Sequence, residues 1–184
     1  MSDKLLNWLK VNGYDMKNTW LGGVILFLFS HHARAIISIY IVSNSKNKLV
    51  SLFFHKILRS YYHIECCCKD IGYGLMIPHP RNIIMWAERI GDNVLINQNV
   101  TIGGNLRKER SRPWGKQTIP IIKNNVMILT NAVVGGPIII EDNVVIGANC
   151  TCTHDVDQNS IIYSKQYISD KKIKVTNRQI TYIS

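Results

Sequence analysis

The sequence predicts a mainly β fold, in which a parallel β-helix of about four triangular coils follows an α-helical N-terminal region. Three observations predict it: an aliphatic residue returns every six positions from Ile71 onward, one long loop interrupts this series, and an apolar stretch near the N-terminus lacks the period. The predicted boundaries are 1–65 for the helical region, 66–160 for the β-helix with an inserted loop at 103–121, and 161–184 for a C-terminal segment.

The six-residue series is the strongest of these signals. Its anchors are aliphatic side chains closed by a cysteine, and they are Ile71, Ile77, Ile83, Ile90, Ile96, Ile102, Ile122, Ile128, Val134, Ile140, Ile146 and Cys152, with one extra residue after Ile83. A period of six matches neither an α-helix nor the alternation of a flat strand. It fits a β-helix in which each hexapeptide forms one face and a turn, and three faces close a coil of about 18 residues. Stacked coils then bury a continuous core.

The stretch from Trp20 to Val42 is apolar, with His31, His32 and Arg34 at its centre. Charge and imidazole are costly in lipid, so we expect two buried or interfacial helices rather than a membrane span. Peripheral contact with a membrane is the alternative. The opening "MSDKLLNWLK" does not have the pattern of a signal peptide.

Composition limits the classes of partner. The chain has 184 residues, 46% hydrophobic and 18% charged, and a net charge of +10, which indicates a globular protein with anionic partners. It carries no phosphate loop, zinc finger or RNA-binding motif, so no nucleic acid is predicted. Three of the five cysteines are adjacent and none forms a CxxC pair. This favours a reducing cytoplasm, without disulfides and without a metal site.

The inserted loop at 103–121 is the most basic part of the predicted β-helix. Its five cations surround Trp114, and they are Arg107, Lys108, Arg110, Arg112 and Lys116. Insertions in a solenoid point outward and usually carry binding functions. We therefore expect a binding loop, with a solvated charged loop as the alternative.

The segment Ile71 to Thr153 resembles the hexapeptide-repeat acyltransferases. The matching stretches are "IGYGLMIPH" with "NIIM", then "IGDNVLINQNVTIGG", "IKNNVMI" and "VVIGAN". Within that family the chain resembles the serine acetyltransferase branch and, in character, the capsular and surface polysaccharide O-acetyltransferases. The resemblance implies a left-handed β-helix, acetyl-CoA as acyl donor, no metal, and a homotrimer with active sites between adjacent chains.

His79 is the catalytic residue that the resemblance implies. As general base it would take the proton of an acceptor hydroxyl while that oxygen attacks the thioester carbonyl. Imidazole titrates near neutrality, and the flanking prolines restrict the backbone on both sides of the ring. The alternative is a histidine that only fills a corner. The aspartate that orients this base in the serine acetyltransferases falls on Ile64, so Glu65 is the nearest candidate, and a backbone carbonyl is another.

Two departures from the serine acetyltransferases bear on the acceptor. Their aspartate before the catalytic histidine is Pro78 here, and their Arg-His pair in the inserted loop falls on Thr118 and Ile119. We therefore expect a hydroxyl of a bacterial capsular or surface polysaccharide, or of its precursor. Serine and an inactive scaffold β-helix are the alternatives. The residues expected to bind the glycan are an aromatic ring for stacking and two cations, Trp114, Arg112 and Lys116. Trp114 could instead pack against a neighbouring subunit.

The resemblance also implies where coenzyme A would bind. Contacts to the pantetheine arm fall on Gly104, Asn105, Thr130, Gly147 and Ala148, and the oxyanion would meet a backbone N–H near Gly103 or Gly104. The cofactor phosphates would meet one of three lysines, Lys116, Lys123 or Lys165. The family's Gly-x-Pro-Ala signature after the last coil is replaced by "IIYSKQYIS".

Overall fold

A computed structural model describes residues 2–15, 20–105, 109–163, 172–176 and 179–183. The N-terminal region of the described chain is helical: α1 (Asp3–Val11), α2 (Trp20–Phe29), α3 (His31–Asn44), α4 (Lys48–Ile57) and a π-helical turn (Leu58–Tyr62). Side chains cap three of these helices, because Ser2, Ser30 and Asn47 each accept a hydrogen bond from a first-turn N–H. The region ends at His63, whose left-handed backbone turns the chain into the first strand.

Short parallel strands then form the three faces of a left-handed β-helix, as predicted. The first face comprises β1 (Ile64–Cys66), β3 (Ile83–Met85), β6 (Thr101–Gly103), β11 (Val133–Gly135) and β14 (Thr151–Cys152). The second face comprises β2 (Asp70–Ile71), β4 (Arg89–Ile90), β9 (Ile121–Ile122) and β12 (Ile139–Ile140). The third face comprises β5 (Leu95–Ile96), β10 (Met127–Ile128), β13 (Val145–Ile146) and β15 (Ile161–Ile162).

Two hairpins stand apart from these faces. The inserted loop contains β7 (Arg110–Arg112) and β8 (Gly115–Gln117), and the C-terminal segment contains β16 (Lys172–Thr176) and β17 (Gln179–Ile183). Both pairs are antiparallel, whereas every pair within the three faces is parallel. The predicted insertion therefore leaves the β-helix as a hairpin.

The described chain makes five coils, one more than the six-residue series predicts. The first coil runs from β1 to Met76, which bridges to Leu95, and the last runs from β14 through Val156 to β15. The end coils have shortened corners, since Val156 follows Cys152 by only four positions. A search at a fixed spacing of six therefore misses their full extent.

Strand register corrects one of the predicted anchors. Met85, not Ile83, lies in line with Cys66 and Ile102 in the interior column of the first face. Ile83 instead stacks on Ile64 in the neighbouring column, and both side chains are fully buried. Met85 follows Ile77 by eight positions rather than six, so the corner between them contains two additional residues. That enlarged corner holds the Pro-His-Pro sequence.

Asparagines form the regular corners of the coils. They adopt positive φ angles between 53° and 61°, in all but the last case immediately before a buried hydrophobic residue, and they are Asn82, Asn93, Asn99, Asn125, Asn131, Asn143, Asn149 and Asn159. Asparagine tolerates this left-handed conformation better than most residues. Their side-chain amides also hydrogen-bond from coil to coil, as from Asn93 to Asn125 and from Asn125 to Asn143, both at 3.2 Å.

The helical region covers the first coil through polar side chains of α1. Trp8 Nε1 donates to the carbonyl of Gly72 at 2.8 Å, and the Asn7 side chain accepts from the N–H of Gly74. Asn12 donates to the carbonyl of Leu75 and accepts from the N–H of Ile77. Four backbone groups on the outer edge of the first coil, between Gly72 and Ile77, are therefore satisfied by side chains of α1 and the residue that caps it.

No single helix in the described part of the chain is long and apolar enough to cross a bilayer. Only α2 and α3 taken together meet the requirement of length and composition, and their axes bend by 119° at the break between them.

Candidate active site

His79 lies on the enlarged corner between the third and first faces. The N–H of Arg81 donates to the carbonyl of His79 at 2.8 Å, which closes a tight turn centred on Pro80. Pro80 is buried, whereas His79 is exposed. The two additional residues of this corner thus carry the imidazole outside the prism, where the ring has no hydrogen-bond partner among the described residues.

A cavity of about 360 Å³ opens beside this imidazole. Its walls come from the corner and from the start of α3, and they are His31, His32, Pro78, His79, Pro80 and Arg81. The Arg81 guanidinium is exposed and has no carboxylate partner within the described chain. Sequence analysis assigned no role to Arg81, although its position two residues after the candidate base could have indicated one.

His32 fixes the helical wall of the cavity against the corner. Its Nε2 atom donates to the carbonyl of Ile77 at 2.8 Å, and its Nδ1 atom lies 3.2 Å from the Tyr14 hydroxyl. The Tyr14 hydroxyl in turn contacts the Ser30 hydroxyl at 2.7 Å. A carbonyl can only accept, so Nε2 carries the proton. These contacts position the residue that directly precedes the Pro-His-Pro corner.

His31 is held from the opposite side by Tyr62. The two rings are 4.5 Å apart between centroids, and the Tyr62 hydroxyl donates to the His31 carbonyl at 2.6 Å. Burial raises the pKa of Tyr62, and this keeps the hydroxyl a donor. The turn before β1 and the start of α3 are therefore joined beside the cavity.

Glu65 does not contact His79 within one chain. Its carboxylate pairs with Arg59 at 3.1 Å, and its backbone lies in register with Ile84, whose side chain points outward from the first face. The strand alternation that buries Ile64 and Cys66 turns Glu65 to the outer surface. The structure therefore gives no support within one chain for Glu65 as the residue that orients the base.

Gly103 lies beside a second glycine that sequence analysis missed. It is in register with Gly135 on the next coil, and a Cβ on either residue would meet no atom within 4 Å. The outer surface at this end of the first face is therefore bare backbone, which suits the close approach of an extended ligand. Gly104 is more crowded, since a Cβ there would lie 3.2 Å from the Thr118 carbonyl.

The base and this glycine pair lie at opposite ends of the first face. His79 precedes β3, whereas Gly103 ends β6, the strand beside it. At about 3.3 Å per residue, the strand and corner between them separate the two by roughly 10 Å or more. One chain therefore does not bring His79 and Gly103 to a common point.

The other predicted coenzyme A contacts are spread over neighbouring coils. Asn105 lies near Gly136, Thr130 is half-buried, and Ala148 is exposed at a corner. Gly147 packs against its own chain, because a Cβ there would lie 2.7 Å from the Ile162 carbonyl. Lys123 pairs with Glu141 at 2.6 Å. Lys165 lies outside the described residues.

The cations of the inserted hairpin are paired within the chain. Arg110 and Arg112 both contact Asp155, at 2.6 and 2.8 Å, and Arg112 also donates to the side chain of Gln117. Lys116 pairs with Glu109 at 2.8 Å. Trp114 at the hairpin turn is 58% exposed. Arg112 and Lys116 therefore secure the loop rather than offer free charge to an acceptor, and Arg107 and Lys108 lie outside the described residues.

The pairing with Asp155 predicts a pH-dependent hairpin. The hydrogen bond from Arg112 lowers the pKa of Asp155, so the folded state favours its charged form. The stabilisation is present above the pKa of the unfolded chain and is lost as the pH falls through the lower folded pKa. We expect Trp114 fluorescence to change on acidification below pH ~4. An Asp155→Asn variant should show the acid-state spectrum already at pH ~7, and a variant that keeps the neutral spectrum there would contradict this assignment.

The cysteines occupy structural positions. Cys66 and Cys68 point into the core and Cys67 points out, and all five cysteines are free. Burial raises the pKa of the Cys66 thiol to about 12. No group of three metal-ligating side chains comes together in the part of the chain that the structure describes.

Comparisons with known proteins find similar sequences and similar folds. Residues 119–154 match the family described as bacterial transferase hexapeptide (six repeats). The chain is 43% identical over 94 residues to a serine acetyltransferase of Staphylococcus xylosus, a match that covers 50% of this chain and 41% of that protein. The chain thus spans well under two thirds of the length of this curated relative.

Solved structures show the same fold. Neisseria gonorrhoeae serine acetyltransferase in complex with serine aligns with a TM-score of 0.65 at 23% identity, over 88% of this chain and 65% of that chain. A serine acetyltransferase in complex with CoA aligns with a TM-score of 0.63 at 22% identity, over 86% of this chain and 65% of that one.

These findings overturn the expected polysaccharide acceptor. The Staphylococcus relative and the structural neighbours described above are serine acetyltransferases, and they do not support a capsular or surface glycan as acceptor. The structure gives the physical reason, because Arg112 and Lys116 are occupied by Asp155 and Glu109. The Arg-His pair that is missing at Thr118 and Ile119 has a candidate counterpart in Arg81, a cation beside His79, whereas the aspartate that is missing at Pro78 has none among the residues that line the cavity.

The chain therefore has a left-handed β-helix that matches the hexapeptide transferase model over residues 119–154, and it is similar to serine acetyltransferases over half of its sequence and in fold.

Proposed function

We propose that this chain transfers the acetyl group of acetyl-CoA to the hydroxyl of serine, with His79 as general base. The observation that carries the proposal is the His79 imidazole itself, exposed on an enlarged corner and free of partners within the described chain. The similarity to serine acetyltransferases supports the identity of donor and acceptor.

The proposed reaction needs one proton transfer in each direction. The unprotonated imidazole takes the proton of the serine hydroxyl as that oxygen bonds to the thioester carbon. The resulting oxyanion accepts a hydrogen bond from a backbone N–H, for which Gly103 and Gly104 are the candidates. Collapse of this intermediate breaks the carbon–sulfur bond, and the imidazolium returns its proton to the leaving thiolate of CoA.

Arg81 is the proposed partner of the serine carboxylate. It shares the cavity with His79, and its guanidinium has no carboxylate partner among the described residues. A planar guanidinium can bind a carboxylate through two parallel hydrogen bonds. This cation would replace the Arg-His pair of the related enzymes, whose positions here are Thr118 and Ile119.

A homotrimer is the proposed assembly. Within one chain the base and the Gly103–Gly135 pair lie at opposite ends of a face, and this supports a site in which each comes from a different chain. Pantetheine would lie along the bare backbone of that glycine pair. The five free thiols support a reducing, cytoplasmic location.

The test is serine-dependent release of CoA thiol from acetyl-CoA. We expect release with L-serine, and little with water alone or with D-serine. Replacing Arg81 by glutamine should raise the KM for serine by roughly 10- to 100-fold with a much smaller change in kcat, because it removes a charge-assisted pair. Ethanolamine, which has the hydroxyl and amine of serine but no carboxylate, is the matched acceptor and should be used equally by both forms.

Two results would contradict parts of this proposal. Absence of serine-dependent release from a folded trimer that binds CoA would rule out serine as acceptor. A KM for serine that does not change in Arg81→Gln would leave the function intact and remove Arg81 from the acceptor site.

A further inference from the structure

Two helices of the N-terminal region expose a large apolar surface. We define the apolar helix face as the exposed large hydrophobic side chains of α2 and α4, which are Trp20, Leu21, Ile25, Leu28, Phe29, Leu49, Val50, Leu52 and Phe53. Trp20 is 78% exposed, Phe29 83% and Leu49 77%, and neither helix contains a buried residue. Contiguous apolar surface of this kind usually marks a site of interaction.

The two helices touch each other through one pair of aromatic rings. Phe27 of α2 and Phe54 of α4 pack edge to face with ring centroids 5.7 Å apart. On α4, Leu49, Leu52 and Phe53 follow the spacing of one helical stripe, and Lys56 falls on the same stripe one turn later. The apolar helix face is therefore bordered by a cation that can extend past its edge.

The charge of the surrounding chain is of one sign. Residues 16–64 contain no aspartate or glutamate, and their six Lys and Arg residues are Lys17, Arg34, Lys46, Lys48, Lys56 and Arg59. Two of these cations have partners within the chain, since Arg34 donates to the carbonyls at the end of α2 and Arg59 pairs with Glu65. Lys46, Lys48 and Lys56 are exposed and have no carboxylate partner within the described residues.

We infer that the apolar helix face lies on the surface of an anionic lipid bilayer. The apolar side chains enter the boundary between head groups and acyl chains, and the exposed lysines contact lipid phosphates. The helices lie in the plane of the membrane rather than across it, because each has only 10 residues or is sharply bent from its neighbour.

The charge pattern favours a bilayer over a two-fold contact between copies of the chain. A two-fold interface places the same patch of each chain against itself. Here that arrangement would bring the lysines of one acid-free segment against those of another, with no carboxylate from residues 16–64 to pair them. An anionic bilayer offers both an apolar layer and the opposite charge.

Co-sedimentation with lipid vesicles tests the inference. We expect the full chain to bind vesicles of equal parts phosphatidylcholine and phosphatidylglycerol, and to bind pure phosphatidylcholine vesicles much more weakly. The double variant Leu49→Ser with Leu52→Ser should bind the mixed vesicles at least roughly tenfold more weakly, because two apolar side chains that would enter the lipid are lost. Lys48→Gln should weaken binding by roughly fivefold, and added salt should also weaken binding.

Trp20 provides a built-in reporter of insertion. Its emission should shift to the blue when mixed vesicles are added, and Trp20→Phe should lose most of that shift while still sedimenting with the vesicles. The matched control is Tyr73→Ser, which removes an exposed aromatic ring from the β-helix and should bind like the unaltered chain.

Three outcomes would overturn the inference. The first is equal binding to both kinds of vesicle, and the second is equal binding by the Leu49→Ser, Leu52→Ser variant and the unaltered chain. The third is a chain that does not bind vesicles but changes its oligomeric state when Leu49 and Leu52 are replaced. That result would assign the apolar helix face to a contact between copies of the chain.

Discussion

Replacing His79 by alanine is expected to lower serine-dependent acetyl transfer by roughly 100- to 10,000-fold, the usual contribution of a positioned general base. The loss should appear mainly in kcat, because the imidazole acts on the proton in the transition state rather than on bound serine. The measurement is steady-state release of CoA thiol at saturating acetyl-CoA.

This variant should fold normally. His79 is exposed and its ring makes no hydrogen bond within the described residues, so its removal leaves no buried group unpaired. The matched control is His154→Ala, a second exposed histidine that does not line the His79 cavity and should keep full activity. An His79→Ala enzyme within about threefold of the unaltered rate would exclude this imidazole as the base.

Replacing Ile83 by alanine is expected to lower the free energy of unfolding by about 2–5 kcal/mol. Ile83 is fully buried between Ile64 and the next coil, and the shortened side chain would leave a cavity in the core. Chemical denaturation of the assembled protein at a fixed concentration measures the change.

The matched control lies next to it on the same strand. Ile84 points outward and is 38% exposed, so Ile84→Ala should cost no more than about 1 kcal/mol. Equal losses at the two positions would mean that the strand does not alternate as the described register requires, or that an assembled partner covers Ile84 as fully as the core covers Ile83.

The architecture could be predicted from the sequence because each coil repeats the same local structure. A core side chain and a tight corner recur every six residues, so Ile90, Ile96 and Ile102 predicted the faces correctly. The prediction failed where the corners change length. At the enlarged corner a fixed spacing selected Ile83 instead of Met85, since both side chains are buried on one strand and only the pairing with Ile102 distinguishes them.

The site was less predictable, because its parts meet through contacts distant in sequence. The motif predicted His79 as the base, whereas Arg81 became a candidate only when α3 was seen to form the facing wall of the cavity. The cations of the inserted loop suggested an acceptor site until the structure paired Arg112 with Asp155, which lies 43 positions away. No local pattern indicates that pairing.

Side chains at the α1 end of the chain prevent the first coil from pairing with a second copy. They are Asn7, Trp8 and Asn12, which hydrogen-bond to the backbone of that coil. A stack of parallel strands has no inherent end, and its last row of amides and carbonyls can template another row. By occupying those groups with side chains, α1 acts as a terminus for the stack. Deleting α1 should therefore lead to end-to-end fibres rather than merely to a less stable enzyme.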